Sequence, residues 1–393
     1  MKIIVLGSGL MGPAAAYNAM RDPEVTRVTI CDVSQAQLDT CAELLTDKPG
    51  ADKLTLKQLD LSNRADAVAV LAEYDAAVAA LPRPVNILAI EAALQSGTPL
   101  VDLSQTPPEE MARMSDEFET DERLIVLGCG VEPGLTEIMA RHLAEKMDRV
   151  DELHIKCGGI PEKPQPPLGY KIVFGGRKMP LREWDSEVVR NGQIEYVPRY
   201  SDAEPVTFAG VGDCEAWHEG FKPWILDIPE LKNIRRGTQK TVRWPGYAEK
   251  ITVLRELGLL SLEPVLVDGV AVVPKHLVDA VLYPKVRLEA GERDITCFRV
   301  ELVGEMNGKL CTYKAEMVDW LDEVTGFTSM ARTTAFPGAI VARMIASGRL
   351  AAGKRPFVTP EKIIAGAEFD YLMAELAEMG ITFEITIEEN NSE

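Results

Sequence analysis

The hexapeptide Gly7-Ser8-Gly9-Leu10-Met11-Gly12 spaces three glycines as G-x-G-x-x-G, between the apolar run Lys2 to Leu6 and the Ala-rich stretch Gly12 to Met20. Few folds accept a strand-like run, a glycine turn and a helix-like run in that order. Each glycine has a physical task. Gly7 permits a tight turn, Gly9 leaves the backbone open to a pyrophosphate, and Gly12 lets the helix pack closely on the strand. Free N–H groups at the helix start then face the phosphates, with Ser8, Leu10 and Met11 completing the turn. A second apolar run, Val28 to Cys31, ends at Asp32. A carboxylate there hydrogen-bonds a ribose 2′-hydroxyl and repels a 2′-phosphate, and no Arg or Lys follows it in Val33-Ser34-Gln35. The expected cofactor is NAD rather than NADP.

The same alternation continues along the chain. Ser34 reads as the N-cap of a helix through Leu45. Leu54 to Leu61, Ala76 to Leu81, Leu100 to Leu103 and Leu124 to Leu127 read as further strands. Asn63 to Glu73, Val85 to Gln95 (stopped by Gly97) and Pro108 to Glu119 read as the helices between them. Six such alternations predict an α/β fold, a Rossmann doubly wound parallel sheet over residues 1–133. Ligands of such sheets lie beyond the carboxyl ends of the strands. Asp60 and Leu61 are therefore candidates for the adenine end, and Leu81 and Pro82 for the nicotinamide ribose. Asp102 and Ser104 are candidates for the nicotinamide end. An ordinary strand-end turn is an equal reading of each.

Beyond Pro133 the texture changes to longer, more polar strands (Glu152 to Cys157, Asp294 to Val303) and Pro/Gly-rich loops. This predicts an α+β second domain over 134–330, with a mainly antiparallel sheet, to which the resemblance described below assigns substrate binding and dimerisation. Residues 331–393 are expected to form helices, Arg332 to Ile345 and from Pro360 onward, that return to the first domain. The polar end, Glu388 to Glu393, is expected to fray.

Composition narrows the function classes. Of 393 residues, 46% are hydrophobic and 26% charged, with 42 Lys+Arg against 61 Asp+Glu, a net charge of −19. That balance disfavours nucleic-acid partners, since phosphates are repelled. No long uninterrupted apolar run predicts a membrane span, and the first residues do not read as a signal peptide, so a cytoplasmic location is expected. The seven cysteines include no C-x-x-C pair, and His142, His154, His218 and His276 show no ligand spacing, so no metal is expected.

Seven further segments, in order, carry a family likeness: Gly130-Val131-Glu132-Pro133-Gly134-Leu135, Cys157-Gly158-Gly159-Ile160-Pro161, Pro167-Leu168-Gly169-Tyr170-Lys171, Arg190-Asn191-Gly192-Gln193, Thr241-Val242-Arg243-Trp244-Pro245-Gly246, Ala248-Glu249-Lys250 and Met330-Ala331-Arg332-Thr333-Thr334-Ala335. Through them the chain resembles the saccharopine dehydrogenase superfamily over nearly its whole length, and within it the lysine 6-dehydrogenases. Glu132 and the Cys157 and Tyr170 segments also look like the glutamate-forming saccharopine dehydrogenases. The loop His218 to Trp224, however, lacks the Arg those enzymes have, leaving Lys222 as a point charge. The run Val173-Phe174-Gly175-Gly176-Arg177, and Tyr247 after Gly246, depart from the family pattern.

The resemblance implies NAD-dependent oxidative deamination of the terminal amine of L-lysine, or a close ω-amino acid, to 2-aminoadipate 6-semialdehyde or its cyclic imine, with release of ammonia and NADH. Two alternatives remain: a saccharopine-type enzyme acting on a secondary amine between two amino acids, and a non-catalytic NAD-binding regulator. A homodimer or higher homo-oligomer, with the second sheet as the shared face, also follows from the resemblance. The chemistry needs a carboxylate anchor and a proton acceptor. Arg243 is the candidate anchor, with Thr241 two residues away on the same strand face and Tyr247 and Lys222 nearby; a salt-bridging Arg is the plainer reading. Glu132 and Tyr170 are the candidate catalytic groups, against a helix-start carboxylate and a core aromatic. Lys171 is expected to be solvated, and His218 is a further acid/base candidate.

Overall fold

The computed structural model describes residues 1–118, 124–289, 291–350 and 357–389. They fall into two compact units. The first holds residues 1–138, 323–327 and 331–381, and the second holds 139–322, 328–330 and the chain from Thr382 onward.

The first unit opens with β1 (Lys2–Leu6), α1 (Gly12–Arg21), β2 (Arg27–Asp32), α2 (Gln35–Leu45), β3 (Leu54–Gln58) and α3 (Arg64–Leu71). It continues with β4 (Ala76–Ala79), α4 (Val85–Ser96), β5 (Leu100–Asp102), α5 (Pro108–Glu117), β6 (Ile125–Val126) and α6 (Leu135–Ala144). Ser34 caps α2 by accepting the Gln37 N–H, and Gly97, in the left-handed region at φ 81°, ends α4. The expected end of α5 at Glu119 lies outside the described residues.

The second unit contains β7 (Arg149–Pro161), β8 (Ser186–Arg190), β9 (Gln193–Val197), β10 (Glu204–Phe208), β11 (Gly212–His218) and β12 (Arg236–Arg243). Next come α7 (Tyr247–Glu256), β13 (Val265–Val267), β14 (Val270–Val272), α8 (Pro274–Val286), β15 (Asp294–Met306) and β16 (Lys309–Trp320). The tail supplies α9 (Ser329–Ala346), β17 (Phe357–Val358), α10 (Ala367–Glu378) and β18 (Glu384–Glu389).

The first sheet has the order β17-β6-β5-β4-β1-β2-β3, with every neighbour parallel. The order reverses between β1 and β4, which opens a crevice at their carboxyl ends. The central strand β4 is Ala-Ala-Val-Ala, wholly buried between helical layers. The second sheet runs β10-β11-β12-β7-β15-β16-β18, with β8 joining β12 to β9. It is antiparallel except for β12 on β7. Along β16, buried and half-buried residues alternate from Cys311 to Trp320, the period of a strand with one face in a core.

The tail departs from expectation. Residues 331–393 were expected to be helices, but two segments are strands. Phe357–Val358 adds a seventh strand to the first sheet beside β6. Glu384–Glu389 pairs with β16 in the second sheet, so Glu388 and Glu389 are laddered rather than frayed; Asn390 to Glu393 lie outside the described residues. The first strand is too short to show a period. The second is an edge strand, where acidic side chains are tolerated and mask the pattern. Pro360 starts only a 3-10 turn, and α10 begins at Ala367.

Asp294 organises the start of α9. Its carboxylate, fully buried, accepts the N–H of Ser329 at 2.7 Å and of Met330 at 2.9 Å, two groups that the helix cannot satisfy itself. Asp294→Ala is expected to destabilise the protein by about 1–2 kcal/mol through loss of this cap, read as a lower thermal midpoint by circular dichroism, with Asp294→Asn intermediate.

Candidate functional site

In the first unit the glycine turn has the form a pyrophosphate requires. Gly7 sits at φ +96°, and a Cβ on it would lie 2.5 Å from the Ala80 carbonyl oxygen. A Cβ on Gly12 would collide with the Gly7 carbonyl, so strand and helix approach as closely as backbone allows. Gly9 faces open space. No side chain caps the start of α1, its first turn holds no acidic residue, and Pro13 lies in that turn. Leu10 is exposed and Met11 half-buried beside these N–H groups. Asp32 closes the turn from β2: it accepts the Ser8 N–H at 2.8 Å, the Ser8 hydroxyl at 3.0 Å and the Ser34 N–H at 2.9 Å. The residues present therefore fit a dinucleotide: a small-residue cradle, a helix start with free N–H groups, and an oriented carboxylate.

The other strand ends differ among themselves. Leu81 lies beneath the glycine turn, with its Cδ2 3.1 Å from where a Gly7 Cβ would stand, and Pro82 is exposed beside it. Asp60 is exposed and its carboxylate accepts the Ser62 N–H, a turn contact, while Leu61 packs partly into the core. Asp102 is fully buried, which removes it from direct contact with a ligand. It accepts the Asn86 amide at 2.8 Å, and both the N–H and hydroxyl of Ser104 at 3.0 Å. Burial pushes its carboxyl up to about 6, against the pull of Asn86 and Ser104. Ser104, half-buried, is thus held in place at the end of β5. Glu132 stands half-buried in the loop after β6.

The second unit holds a cationic site walled by aromatic rings. Glu215↔Arg243 and Trp217↔Thr241 are cross-strand partners of β11 and β12, so all four side chains share one sheet face. The Arg243 guanidinium is buried, 4.8 Å from the centre of the Tyr170 ring and 5.7 Å from that of Tyr247. Tyr247 meets Tyr170 edge-on at 5.6 Å and stacks on Trp217 at 5.9 Å and 7°, and Trp217 packs on Tyr200 at 4.7 Å. Glu215 accepts the N–H of Gly246 at 2.8 Å and of Ala248 at 2.7 Å, fixing the start of α7 and with it the Tyr247 ring.

Among the described residues no carboxylate pairs with Arg243. One Nη donates to the Val242 carbonyl at 2.7 Å, and Nε has no hydrogen-bond partner. The Trp217 indole N–H is likewise buried without a hydrogen bond, and the Tyr170 oxygen, beside the Arg243 guanidinium and the Val173 N–H, leaves its own proton unspent. A buried cation facing unsatisfied donors is arranged to receive an anionic oxygen pair. Burial raises the Tyr170 phenol above its usual value while Arg243 draws it down, and burial raises Tyr247 well above its own. Both phenols therefore stay protonated at neutral pH and serve as donors, not bases. Gly158 permits this close packing: a Cβ there would lie 2.4 Å from the Val242 carbonyl oxygen and 2.8 Å from an Arg243 Nη.

The structure gathers Arg243, Thr241, Tyr170 and Tyr247 as expected neighbours. It does not add Lys222, whose amino group donates to the Gly220 carbonyl of its own loop at 2.8 Å. That loop is reached by Arg182 and Arg199, both paired with Glu219. Lys171 corrects expectation: it is buried and pairs with Glu292 at 2.9 Å. His218 is buried and held by Asp202 at 3.2 Å, and burial with the nearby Lys240 charge lowers its pKa. Trp217, Tyr200, Glu215 and the role of Gly158 were not read from the sequence; only the pairing of β11 with β12, and of β12 with β7, brings them to Arg243. No group of His, Cys, Asp and Glu among the described residues is placed to hold a metal ion.

Two family models match the chain in succession. The family model described as the saccharopine dehydrogenase NADP binding domain matches residues 3–126, and that of the saccharopine dehydrogenase C-terminal domain matches residues 130–381. Carboxynorspermidine synthase of Vibrio cholerae is 24% identical over 340 residues, 79% of each chain. Carboxyaminopropylagmatine dehydrogenase of a Synechocystis species is 22% identical, over 88% of this chain and 89% of that one. Apo saccharopine dehydrogenase (L-Glu forming) from Saccharomyces cerevisiae has the same fold, with a TM-score of 0.77 at 18% identity over 98% of this chain and 99% of that one.

Two outcomes follow from this geometry. Gly158→Ala is expected to force β12 away from β7, because its Cβ would lie 2.4 Å from the Val242 carbonyl oxygen as well as 2.8 Å from an Arg243 Nη, and so to lower the thermal midpoint followed by circular dichroism. The folded-state pKa of Asp102 lies above its unfolded value near 4, so its stabilising contribution is full below pH 4 and lost as pH rises through 6. The thermal midpoint of Asp102→Asn should accordingly vary less than that of the wild type between pH 4 and 6.

Proposed function

Because the chain belongs to the saccharopine dehydrogenase family, we propose that it is an NAD-dependent oxidoreductase that makes or breaks the carbon–nitrogen bond of a secondary amine bearing an amino-acid carboxylate. The observation that carries this reading is the buried, carboxylate-free Arg243 within its aromatic walls. A planar guanidinium with unspent donors receives a carboxylate bidentately, and the Tyr170 hydroxyl and Trp217 N–H are further donors for it. Thr241 contributes a hydroxyl on the same face. The names of the two relatives, carboxynorspermidine synthase and carboxyaminopropylagmatine dehydrogenase, both denote a carboxyl group joined to an amine-rich chain, and such a substrate suits one strong carboxylate anchor.

When bound, the nicotinamide dinucleotide takes up or returns the hydride at the amine-bearing carbon. The chain's own residues do the rest. The glycine turn and the start of α1 hold the pyrophosphate, and Asp32 receives the ribose hydroxyls, which favours NAD over NADP. Arg243 fixes the substrate carboxylate, and the aromatic walls exclude water from it. Glu132, in the loop beyond the carboxyl end of β6, is the proposed proton acceptor for the amine. Water then splits the resulting C=N bond into an amine and a carbonyl compound; the reverse direction joins them.

Oxidation of the terminal amine of L-lysine, releasing ammonia, is the second reading. It is favoured by the tethered Lys222, which leaves the site without a free cation in that loop for a second carboxylate.

The test is formation of NADH or NADPH at 340 nm on carboxynorspermidine, saccharopine, L-lysine and L-ornithine, with NAD and NADP supplied separately. Turnover of a secondary amine with NAD, and a rise in KM of about a hundredfold in Arg243→Lys at little changed kcat, is the expected result. Ammonia release from L-lysine alone installs the second reading. Preference for NADP overturns the role given to Asp32.

A further inference from the structure

Glu215 and Arg243 are direct cross-strand partners, so their side chains leave one sheet face with Cβ atoms about 4.5–5.5 Å apart. Opposite charges so placed ordinarily join in an ion pair. Here they do not. The Glu215 carboxylate accepts the N–H of Gly246 at 2.8 Å and of Ala248 at 2.7 Å, both backbone groups without a full charge. On its other side, across the ladder of β10 and β11, Glu215 faces Pro205, which has no side-chain donor. The Arg243 guanidinium gives one donor to the Val242 carbonyl, and its Nε is buried without a hydrogen-bond partner. The two groups meet at Tyr247. The carboxylate holds the N–H groups of the residues on either side of it, and the guanidinium lies 5.7 Å from its ring centre. An anion and a cation thus stand side by side, each without an ionic partner among the described residues.

We propose that Glu215 receives the α-ammonium of the substrate whose carboxylate lies on Arg243, so that the second unit selects an α-amino acid head group over a plain carboxylate. This inference rests on the carboxylate role given to Arg243 above. An α-amino acid holds its ammonium and its carboxylate two bonds apart, and the ladder holds their opposite-signed receptors on neighbouring strands of one face. Each Glu215 oxygen accepts one backbone N–H. A carboxylate offers about four lone-pair sites, so two remain for an ammonium and its three donors. The same two N–H groups fix the direction of the carboxylate before a ligand arrives. A ligand with a carboxylate alone would meet Glu215 as a like charge next to its anchor, so the pair discriminates by repulsion as well as by attraction. The role is separate from that of Glu132, which serves the reacting amine.

The test is calorimetric titration of the full chain, loaded with NADH, with three pairs of ligands. L-2,4-diaminobutyrate, L-ornithine and L-lysine are each set against the same molecule without its α-amine: 4-aminobutyrate, 5-aminopentanoate and 6-aminohexanoate. In the wild type at least one α-amino acid is expected to bind about tenfold or more tightly than its counterpart. Glu215→Gln keeps an acceptor oxygen for α7 and removes the charge. It is expected to abolish that preference by weakening the α-amino acid alone, with an unchanged circular dichroism spectrum. Arg243→Lys is expected to weaken both members of the pair by a similar factor and to leave the preference standing. A wild type without the preference overturns the inference, as does a Glu215→Gln variant that weakens both members alike, the result of a role confined to holding α7. In either case weaker binding of both members by Arg243→Lys leaves the carboxylate anchor intact. Binding of no ligand, or binding indifferent to Arg243→Lys, overturns the anchor and this inference together. Should Glu215→Gln fail to fold, a crystal structure of the wild type with NADH and the tightest-binding amino acid decides. The α-nitrogen is expected within hydrogen-bond reach of a Glu215 oxygen, and its placement elsewhere overturns the inference.

Discussion

A guanidinium removed from water loses several kcal/mol of hydration unless something replaces it. Arg243 is buried with no carboxylate among the described residues to compensate it, and the second unit is arranged around that fact. Two tyrosine rings present their faces to the charge, and the Val242 carbonyl takes one of its donors. Gly158 permits the close packing of β7 against β12 and the head group. Glu215, opposite Arg243 across the ladder, is not its ion-pair partner. Its oxygens go instead to the N–H groups that open α7. The consequence is a preformed cation held short of full satisfaction, which is the basis of the carboxylate anchor proposed above.

The first unit offers negative phosphate a set of backbone N–H groups. The glycine turn and the uncapped start of α1 leave N–H groups open, and Asp32 binds Ser8 and Ser34 so that the turn has one shape. Behind the turn, the all-small strand β4 and the buried Asp102 network with Asn86 and Ser104 keep the strand ends in register. The family model over this region is named for NADP, whereas the carboxylate at Asp32 sits where a 2′-phosphate would be repelled.

Parts of the protein were legible in advance because their signals are local. The G-x-G-x-x-G turn, the Ser34 cap, the Gly97 stop and the alternation of apolar runs each involve a few consecutive residues. The parallel character of the first sheet followed from them, and the membership in the saccharopine dehydrogenase family was carried by seven short segments. What escaped were elements whose signal is weak or lies elsewhere. Phe357–Val358 is two residues long, and its strand character comes only from Ile125 and Val126 beside it. Glu384–Glu389 looks like a solvated tail until β16 supplies its ladder. Lys171 looks like a surface lysine until Glu292 meets it.

By itself, then, the order of residues determined the dinucleotide fold, the cofactor turn and the presence of an arginine before Trp244-Pro245-Gly246, because strand period, turn chemistry and caps act within a few residues. Only the tertiary structure decided that Trp217, Tyr200, Glu215 and Gly158 surround Arg243. It likewise decided that Lys222 is tethered away. Those relations depend on the registers β11–β12 and β12–β7 and on the packing of side chains distant in the chain. Such pairings are set by burial summed over whole sheets and leave no mark within any short stretch of sequence.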